Sequence, residues 1–316
     1  MNKLISISDI WENIFLPLLE PKIHRISELR SVCRQFSKLF KPLNILHIRV
    51  TDELSLQDAY TKICIYIEYL EDISVKNNTS VHDLNYKSLI PEIWLGDGIY
   101  INEVESIKYP ITIRGMGNKR TIIDGGLNFK INSEISSQVY DLNITNEKGV
   151  GIHNYRQSEI VISSCYISNC IYGIQMSEGK ITMKNSKIFN NKNGINLWGK
   201  NTGFNFSEIE VCNNVCGIII GRLNEPNETI IRNLICHHNS EIGIGVGGYM
   251  SNTSVILSGD KTDIYSNNST KHKYGSGVEI TYNGTIEFVG LDKSVSHDNN
   301  TNWLNRWCSS SNIMFI

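Results

Sequence analysis

The chain has 316 residues, 41% of them apolar and 20% charged, with a formal net charge of −2. That length allows one or two domains with a real core, and the near-neutral charge gives no basis for general affinity to nucleic acid or anionic membrane. Charge is uneven, however: residues 1–50 hold eight Lys and Arg against four Asp and Glu, and the rest hold 22 against 28.

No run approaches the roughly 20 apolar residues needed to cross a bilayer. Met1-Asn2-Lys3-Leu4-Ile5 lacks an apolar core followed by a small-residue cleavage site. The sequence therefore predicts an intracellular, cytoplasmic, non-secreted protein whose eight cysteines are thiols.

Ile10, Trp11, Ile14, Phe15 and Leu18 fall at three- and four-residue steps, which puts them on one helix face. Ser6-x-x-Asp9 reads as a capping box before them. A second stripe runs through Ile26, Leu29, Val32, Cys33, Phe36, Leu39 and Phe40 until Pro42 stops it. Such short amphipathic helices cannot bury their faces alone and need the rest of the chain or a partner.

Asp9-Ile-Trp-Glu-Asn-Ile-Phe15, followed by Leu29-x-x-Val32-Cys33-Arg34-x-Phe36-x-x-Leu39, resembles an F-box over about 40 residues. Ser6-Ile7 stands where that family commonly has Leu-Pro. The resemblance implies docking onto the S-phase kinase-associated adaptor of a cullin-RING ubiquitin ligase. Ile10, Trp11, Ile14, Phe15, Leu18, Leu29, Val32, Cys33 and Phe36 match the motif, some as its core and some as adaptor contacts. The simpler alternative is a helical cap on the domain that follows.

Ile45 to Val50 reads as a strand, and Ser55 caps a helix with the stripe Leu56, Ala59, Tyr60, Ile63, Ile67 and Leu70. From Glu92 short β-branched runs follow, at Ile93-Trp-Leu, Ile99-Tyr-Ile, Ile111-Thr-Ile and Ile122-Ile. A glycine followed by Ile or Val then recurs at Gly151, Gly173, Gly194, Gly217, Gly243 and Gly277, with steps of 22, 21, 23, 26 and 34 residues. Between the glycines, Ile160-Val-Ile162, Ile181-Thr-Met183, Phe204-Asn-Phe206 and Thr229-Ile-Ile231 share one slot. Ile167, Ile188, Val211 and Cys236 share a second, and Asn169, Asn190 and Asn213 share a third at a turn, where they could stack as an amide ladder.

Units that cannot bury their own strands must stack on their neighbours. The pattern predicts a mainly β chain, a right-handed parallel β-helix of about nine coils preceded by the small α-helical F-box-like module. The expected division is 1–44 for the module, 45–91 for a strand, helix and loop capping the solenoid, and 92–316 for the β-helix with its C-terminal cap. Within it, Trp94-Leu-Gly-Asp-Gly-Ile-Tyr100, Ile111-Thr-Ile-Arg-Gly-Met-Gly117 and Thr121-Ile-Ile-Asp-Gly-Gly126 resemble the opening coils of pectin-lyase-like β-helices. The following repeats are similar to their carbohydrate-binding and sugar-hydrolase relatives.

Glycoside cleavage needs paired carboxylates or an acid and base flanking the sugar. The outward positions after the repeat glycines are His153, Gln175, Asn196, Ile219, Gly245 and Glu279, with one carboxylate among them. Asp260, Asp263, Asp292 and Asp298 read as loop or turn residues with no shared register. No catalytic pair is evident, and the chain is expected not to be an enzyme. Cys236-His237-His238 and Cys212-x-x-x-Cys216 do not complete a four-ligand zinc pattern, because Cys236 fills an interior slot and His238 a turn slot. No metal or cofactor is expected. Gly245-x-Gly247-Gly248 lacks the Lys and the helix of a phosphate loop and reads as a coil corner.

Gln175, Asn196, Trp198 and Glu279 form the candidate target-binding face, an amide-rich surface with one aromatic anchor. The resemblances together imply a substrate-recruiting adaptor whose β-helix holds an unknown protein or glycoprotein target, with neither nucleic acid nor membrane as partner. The Asn-, Ile-, Lys- and Tyr-rich composition resembles that of an AT-rich genome, and a short F-box fusion of this style resembles those of large DNA viruses, which would make the ligase a host one. The alternatives are a glycan-binding or glycan-cleaving β-helix protein, or a structural or virion component, with the N-terminal helices as a cap.

Overall fold

The computed structural model describes residues 47–50, 55–76, 90–102, 104–199, 203–223, 229–247, 253–268, 276–281, 284–298, 304–306 and 312–316. The chain divides into two compact units, Met1–Asn44 and Ile45–Ile316, and the described residues all belong to the second.

Among the described residues, one helix, Leu56–Lys76, precedes most of the strands. Its start is a reciprocal capping box: Asp58 N–H donates to Ser55 Oγ at 3.0 Å, and Ser55 N–H donates to the Asp58 carboxylate at 3.3 Å. Leu56, Ala59, Tyr60, Ile63 and Ile67 are buried in one cluster with Ile93, Ile107 and Ile111. The helix thereby covers the first coil, and Tyr60 Oη accepts the Lys108 backbone N–H at 2.6 Å.

Every strand pairing among the described residues is parallel, and the strands stack as three faces. Face A begins at His47–Val50, which pairs with Glu92–Leu95, so the solenoid starts ahead of residue 92. Face B begins at Gly98–Ile101 and face C at Leu127–Phe129. Eight turns, from Thr112 to Arg306, carry a strand on all three faces, one fewer than the repeat length suggests.

Alternation fixes which side chains enter the core. On face A the register runs Ile48, Ile93, Ile113, Val139, Ile162, Met183, Phe206, Ile231, Leu257, Phe288, Phe315. On face B the inward column includes Ile144, Ile167, Ile188, Val211, Cys236 and Ile264, and on face C it includes Ile152, Ile174, Ile195, Ile218, Ile244 and Val278. The repeat slots read from sequence are therefore rungs of the solenoid. At the C-terminal end Asn312–Phe315 continues face A, and the Phe315 ring stacks on Phe288 at 4.8 Å.

The turn from face B to face C corrects one expectation. Asn169, Asn190 and Asn213 do adopt left-handed backbone, with φ of 55°, 56° and 56°, but their side chains face solvent. The amide ladder is built by the next residue, which the left-handed step swings back into the core. Asn191 donates to Asn214 Oδ1, Asn214 to Asn239 Oδ1, and Asn239 to Asn267 Oδ1, each through both backbone N–H and side-chain amide at 2.9–3.1 Å. The repeat glycines sit against this ladder. A Cβ on Gly194 would lie 2.5 Å from the Gly217 carbonyl oxygen and 3.1 Å from Asn214 Nδ2.

Candidate functional site

Face B carries the densest chemistry on its outward side. Two outward columns run along it: Tyr166, Lys187, Glu210, Ile235, Asp263, and beside them Ser168, Phe189, Cys212, His237, Tyr265, His297. Asp263 therefore lies on a strand in the same column as Glu210, two rungs away. That corrects the reading of Asp263 as a loop residue without register, which failed because the short strand Asp263–Tyr265 has only one buried residue to mark it. Asp298 does sit in a left-handed turn, with φ of 52°.

An open groove of about 460 Å³ lies along the first column. Tyr166, Lys187, Glu210 and Ile235 form its floor over four rungs, roughly 14 Å at a coil spacing of about 4.8 Å. Asn185, Glu208, Asn233 and Lys261 come from the neighbouring turn. At Asn185, Glu208 and Asn233 the backbone is left-handed, with φ of 48°, 54° and 53°. Two carboxylates and two ammonium groups thus line one groove. Sequence reasoning missed Glu208 and Glu210 because they lie outside the face C row on which the acid search centred.

Lys187 Nζ donates to Glu210 Oε1 at 2.6 Å, and His237 Nε2 lies 3.1 Å from the same oxygen. The Cys212 thiol sits 3.4 Å from that oxygen. Burial disfavours the Lys187 ammonium, but the Glu210 carboxylate outweighs it and holds the pKa above its ordinary value. Burial likewise works against the Glu210 charge, and the bonds from Lys187 and His237 overcome it, leaving this carboxyl below the usual range. Burial pushes the Cys212 thiol up to about 11.

A ladder of rings continues the second column. His237 stacks on Tyr265 with centroids 4.9 Å apart and planes 4° from parallel, and Tyr265 stacks on His297 at 5.6 Å and 6°. His297 is braced by Asp298 at 2.9 Å and Asp263 at 3.0 Å, and the Asp298 bond raises its pKa above that of a free imidazole. Rings stacked along the solenoid axis turn their edges, not their faces, towards solvent.

The face C residues form one outward column in the register Gln175, Asn196, Ile219, Gly245, Glu279. Gln175 and Asn196 are neighbours, and Trp198 is half exposed with its ring lying on Gly221. Glu279 is three rungs from Asn196 and 9% exposed, so it does not join them as a surface. Cys216 also belongs to face C, opposite Asn193 and Ile242, and is thus on another face from Cys212. Cys236 is buried, and His238 holds the turn slot with φ of 54°. A Cβ at Gly247 would come 2.0 Å from the Thr281 carbonyl oxygen, so that glycine is required by coil packing. The F-box-like positions Ile10, Trp11, Ile14, Phe15, Leu18, Leu29, Val32, Cys33 and Phe36 lie outside the described residues, as do Trp303 and Trp307.

Among known proteins, the chain is similar to pectate lyase Pel9A, with a TM-score of 0.44 and 15% identity over 71% of this chain. It spans 66% of that lyase, just under two thirds of its length. It is also similar to the A-module of the Azotobacter vinelandii mannuronan C-5 epimerase AlgE4, with a TM-score of 0.41 and 16% identity over 62% of this chain and 67% of the module. No curated protein sequence matches it. The family described as right handed beta helix region matches residues 54–215, just over half of the chain. With its three parallel faces and stacked inward columns, this protein belongs to the right-handed β-helix family.

Proposed function

We propose that this protein binds an extended glycan in the face B groove. The observation that carries the reading is the groove lining itself. Glu208 and Glu210 offer acceptors, Lys187 and Lys261 donors, Asn185 and Asn233 both, and Tyr166 and Ile235 an apolar floor. Sugars present alternating hydroxyl donors and acceptors on an apolar ring, so a lining of this composition complements them. The coil spacing sets successive floor side chains about 4.8 Å apart, so the groove extends along the solenoid axis and suits an extended ligand. Two carboxylates balance two ammonium groups, which favours a neutral glycan over an acidic one.

Affinity electrophoresis of the full chain through neutral and acidic polysaccharides tests this. Retardation by a neutral polysaccharide, lost in Tyr166→Ala, is the expected result. Retardation by acidic polysaccharides alone, or by none, overturns it. Release of reducing ends by the wild type would extend the reading from binding to cleavage, with Glu208 and Glu210 as the first carboxylates to vary.

The F-box resemblance supports a second reading, recruitment of a target to a cullin-RING ligase, carried by Leu29-x-x-Val32-Cys33-Arg34-x-Phe36. It requires saturable binding of the purified S-phase kinase-associated adaptor, lost in an Ile14→Asp, Phe15→Asp double variant. Absence of binding at micromolar adaptor removes it.

A further inference from the structure

Face B places three chemically different metal-ligating side chains on one spot. Glu210 and Cys212 are two residues apart on the strand Gly203–Cys212, hence on the same outward side. Register sets Cys212 directly beside His237 on the next rung. Their ligand atoms all lie within 4.8 Å of one another. We propose that Glu210 Oε1, Cys212 Sγ and His237 Nε2 form a three-ligand site for a zinc ion, open to solvent for a fourth ligand.

The separations suit a tetrahedral ion. Glu210 Oε1 is 3.1 Å from His237 Nε2 and 3.4 Å from Cys212 Sγ. Bonds of about 2.0 Å to nitrogen and oxygen and 2.3 Å to sulfur place tetrahedral ligand atoms roughly 3.3–3.6 Å apart. The third pair, Cys212 Sγ and His237 Nε2, lies within 4.8 Å, so side-chain rotation has to draw these two ligands onto the ion. A thiolate, an imidazole and a carboxylate together select zinc over magnesium or calcium, which take oxygen ligands.

The ligands are also held in place from behind. His237 is fixed by its stack on Tyr265 at 4.9 Å, and its Nδ1 lies 2.7 Å from His238 Nδ1, so Nδ1 can carry the ring proton while Nε2 exchanges its bond to Glu210 for the metal. Cys212 is fully buried, while the side chains of Glu210 and His237 are 34% and 15% exposed, so one side of the site is wet and the other dry. This is the usual arrangement of a zinc ion that keeps a water or substrate position. Lys187 Nζ, 2.6 Å from Glu210 Oε1, competes with the ion for the carboxylate. Removing its charge should therefore tighten binding by roughly tenfold.

The site shares Glu210 and Lys187 with the groove lining, but the two tests are separable, because Tyr166 carries the glycan test and takes no part here. Anaerobic titration of the full chain with Co²⁺, followed by displacement with Zn²⁺, reads it directly. One equivalent of Co²⁺ should give a thiolate-to-metal charge-transfer band and the intense visible bands of a four-coordinate ion, and both should disappear on adding Zn²⁺. Cys212→Ser and His237→Gln should lose the charge-transfer band while keeping the wild-type circular dichroism and thermal midpoint. Cys216→Ser, on face C, should keep the band, and Lys187→Met should lower the Kd. Absence of the band in the wild type, or its survival in Cys212→Ser, overturns the proposal.

Discussion

Asn191 and Asn214 are joined by two hydrogen bonds to a single oxygen: Asn214 Oδ1 accepts both the backbone N–H of Asn191 at 2.9 Å and its side-chain amide at 3.1 Å. Asn214 then donates its own amide to Asn239 Oδ1 at 3.0 Å and to the Ile188 carbonyl at 3.3 Å. The ladder thus resolves a problem of the fold, since the backbone at this corner is turned away from the ordinary strand ladder while buried from water.

Asn214→Ala should expose this dependence. It leaves the buried backbone N–H of Asn191 without its acceptor and takes the Asn214 amide from the Ile188 carbonyl, while the Asn191 side-chain amide keeps the Ile167 and Phe189 carbonyls. A loss of about 2–4 kcal/mol is expected, since each orphaned buried group costs roughly 1–3 kcal/mol. Urea unfolding followed by circular dichroism measures it. A loss below about 0.5 kcal/mol would mean that water replaces the amide.

Gly194 and Gly203 should separate steric need from mere flexibility. A Cβ at Gly194 would lie 2.5 Å from a backbone carbonyl oxygen in the next coil, whereas one at Gly203 would meet only Lys180 Cγ, at 3.8 Å. Gly194→Ala should cost about 3 kcal/mol or more, because backbone must move to admit the methyl. Gly203→Ala should stay within about 0.5 kcal/mol of wild type. Equal urea midpoints for the two variants would contradict the packing account.

The fold was legible because its defining contacts recur at a fixed sequence interval. Gly173, Gly194 and Gly217 mark one corner, and Ile167, Ile188, Val211 and Cys236 mark one inward column, so periodicity alone aligned rungs that are neighbours in space. The functional face was less legible for the same reason. Cys212 and His237 meet only because 25 residues separate equivalent positions in those two coils, and Glu210 lies outward beside Cys212 on a strand whose inward residues alone carry the repeat. The amide ladder was misplaced by one residue because sequence marks an Asn suited to left-handed backbone. It does not tell which neighbour the turn then directs inward.

Arg114 on the outward side of face A is held from four directions. Its guanidinium lies 4.7 Å from the Tyr140 ring centroid and 5.5 Å from that of Trp94, while its nitrogens reach Glu92 at 3.1 Å and Asp141 at 3.3 Å. Lysine keeps the charge but loses the planar stack and the fork. Arg114→Lys should cost about 1 kcal/mol, a partly exposed ion pair and a cation–π contact each being worth about 0.5–1 kcal/mol. A variant as stable as wild type at low salt would show that the sandwich is incidental.

His153 makes stability fall in mild acid. The side chain is outward on face C yet only 6% exposed, with Asn128 and Gln175 on the flanking rungs, the Tyr155 ring 3.5 Å away and Lys130 as the nearby charge. Burial, aided by the Lys130 ammonium, lowers its pKa to about 4. Because the folded value lies below the unfolded one of about 6.5, protonation favours the unfolded chain, and stability present above pH 6.5 is lost as the pH falls towards 4. At about 1.4 kcal/mol per unit, moving from pH 7 to pH 5 should remove about 2 kcal/mol through this residue. Urea unfolding at the two pH values measures the loss, and His153→Gln should shrink it while other groups titrate unchanged. An unaltered pH dependence in that variant would mean that His153 is solvated in the folded protein.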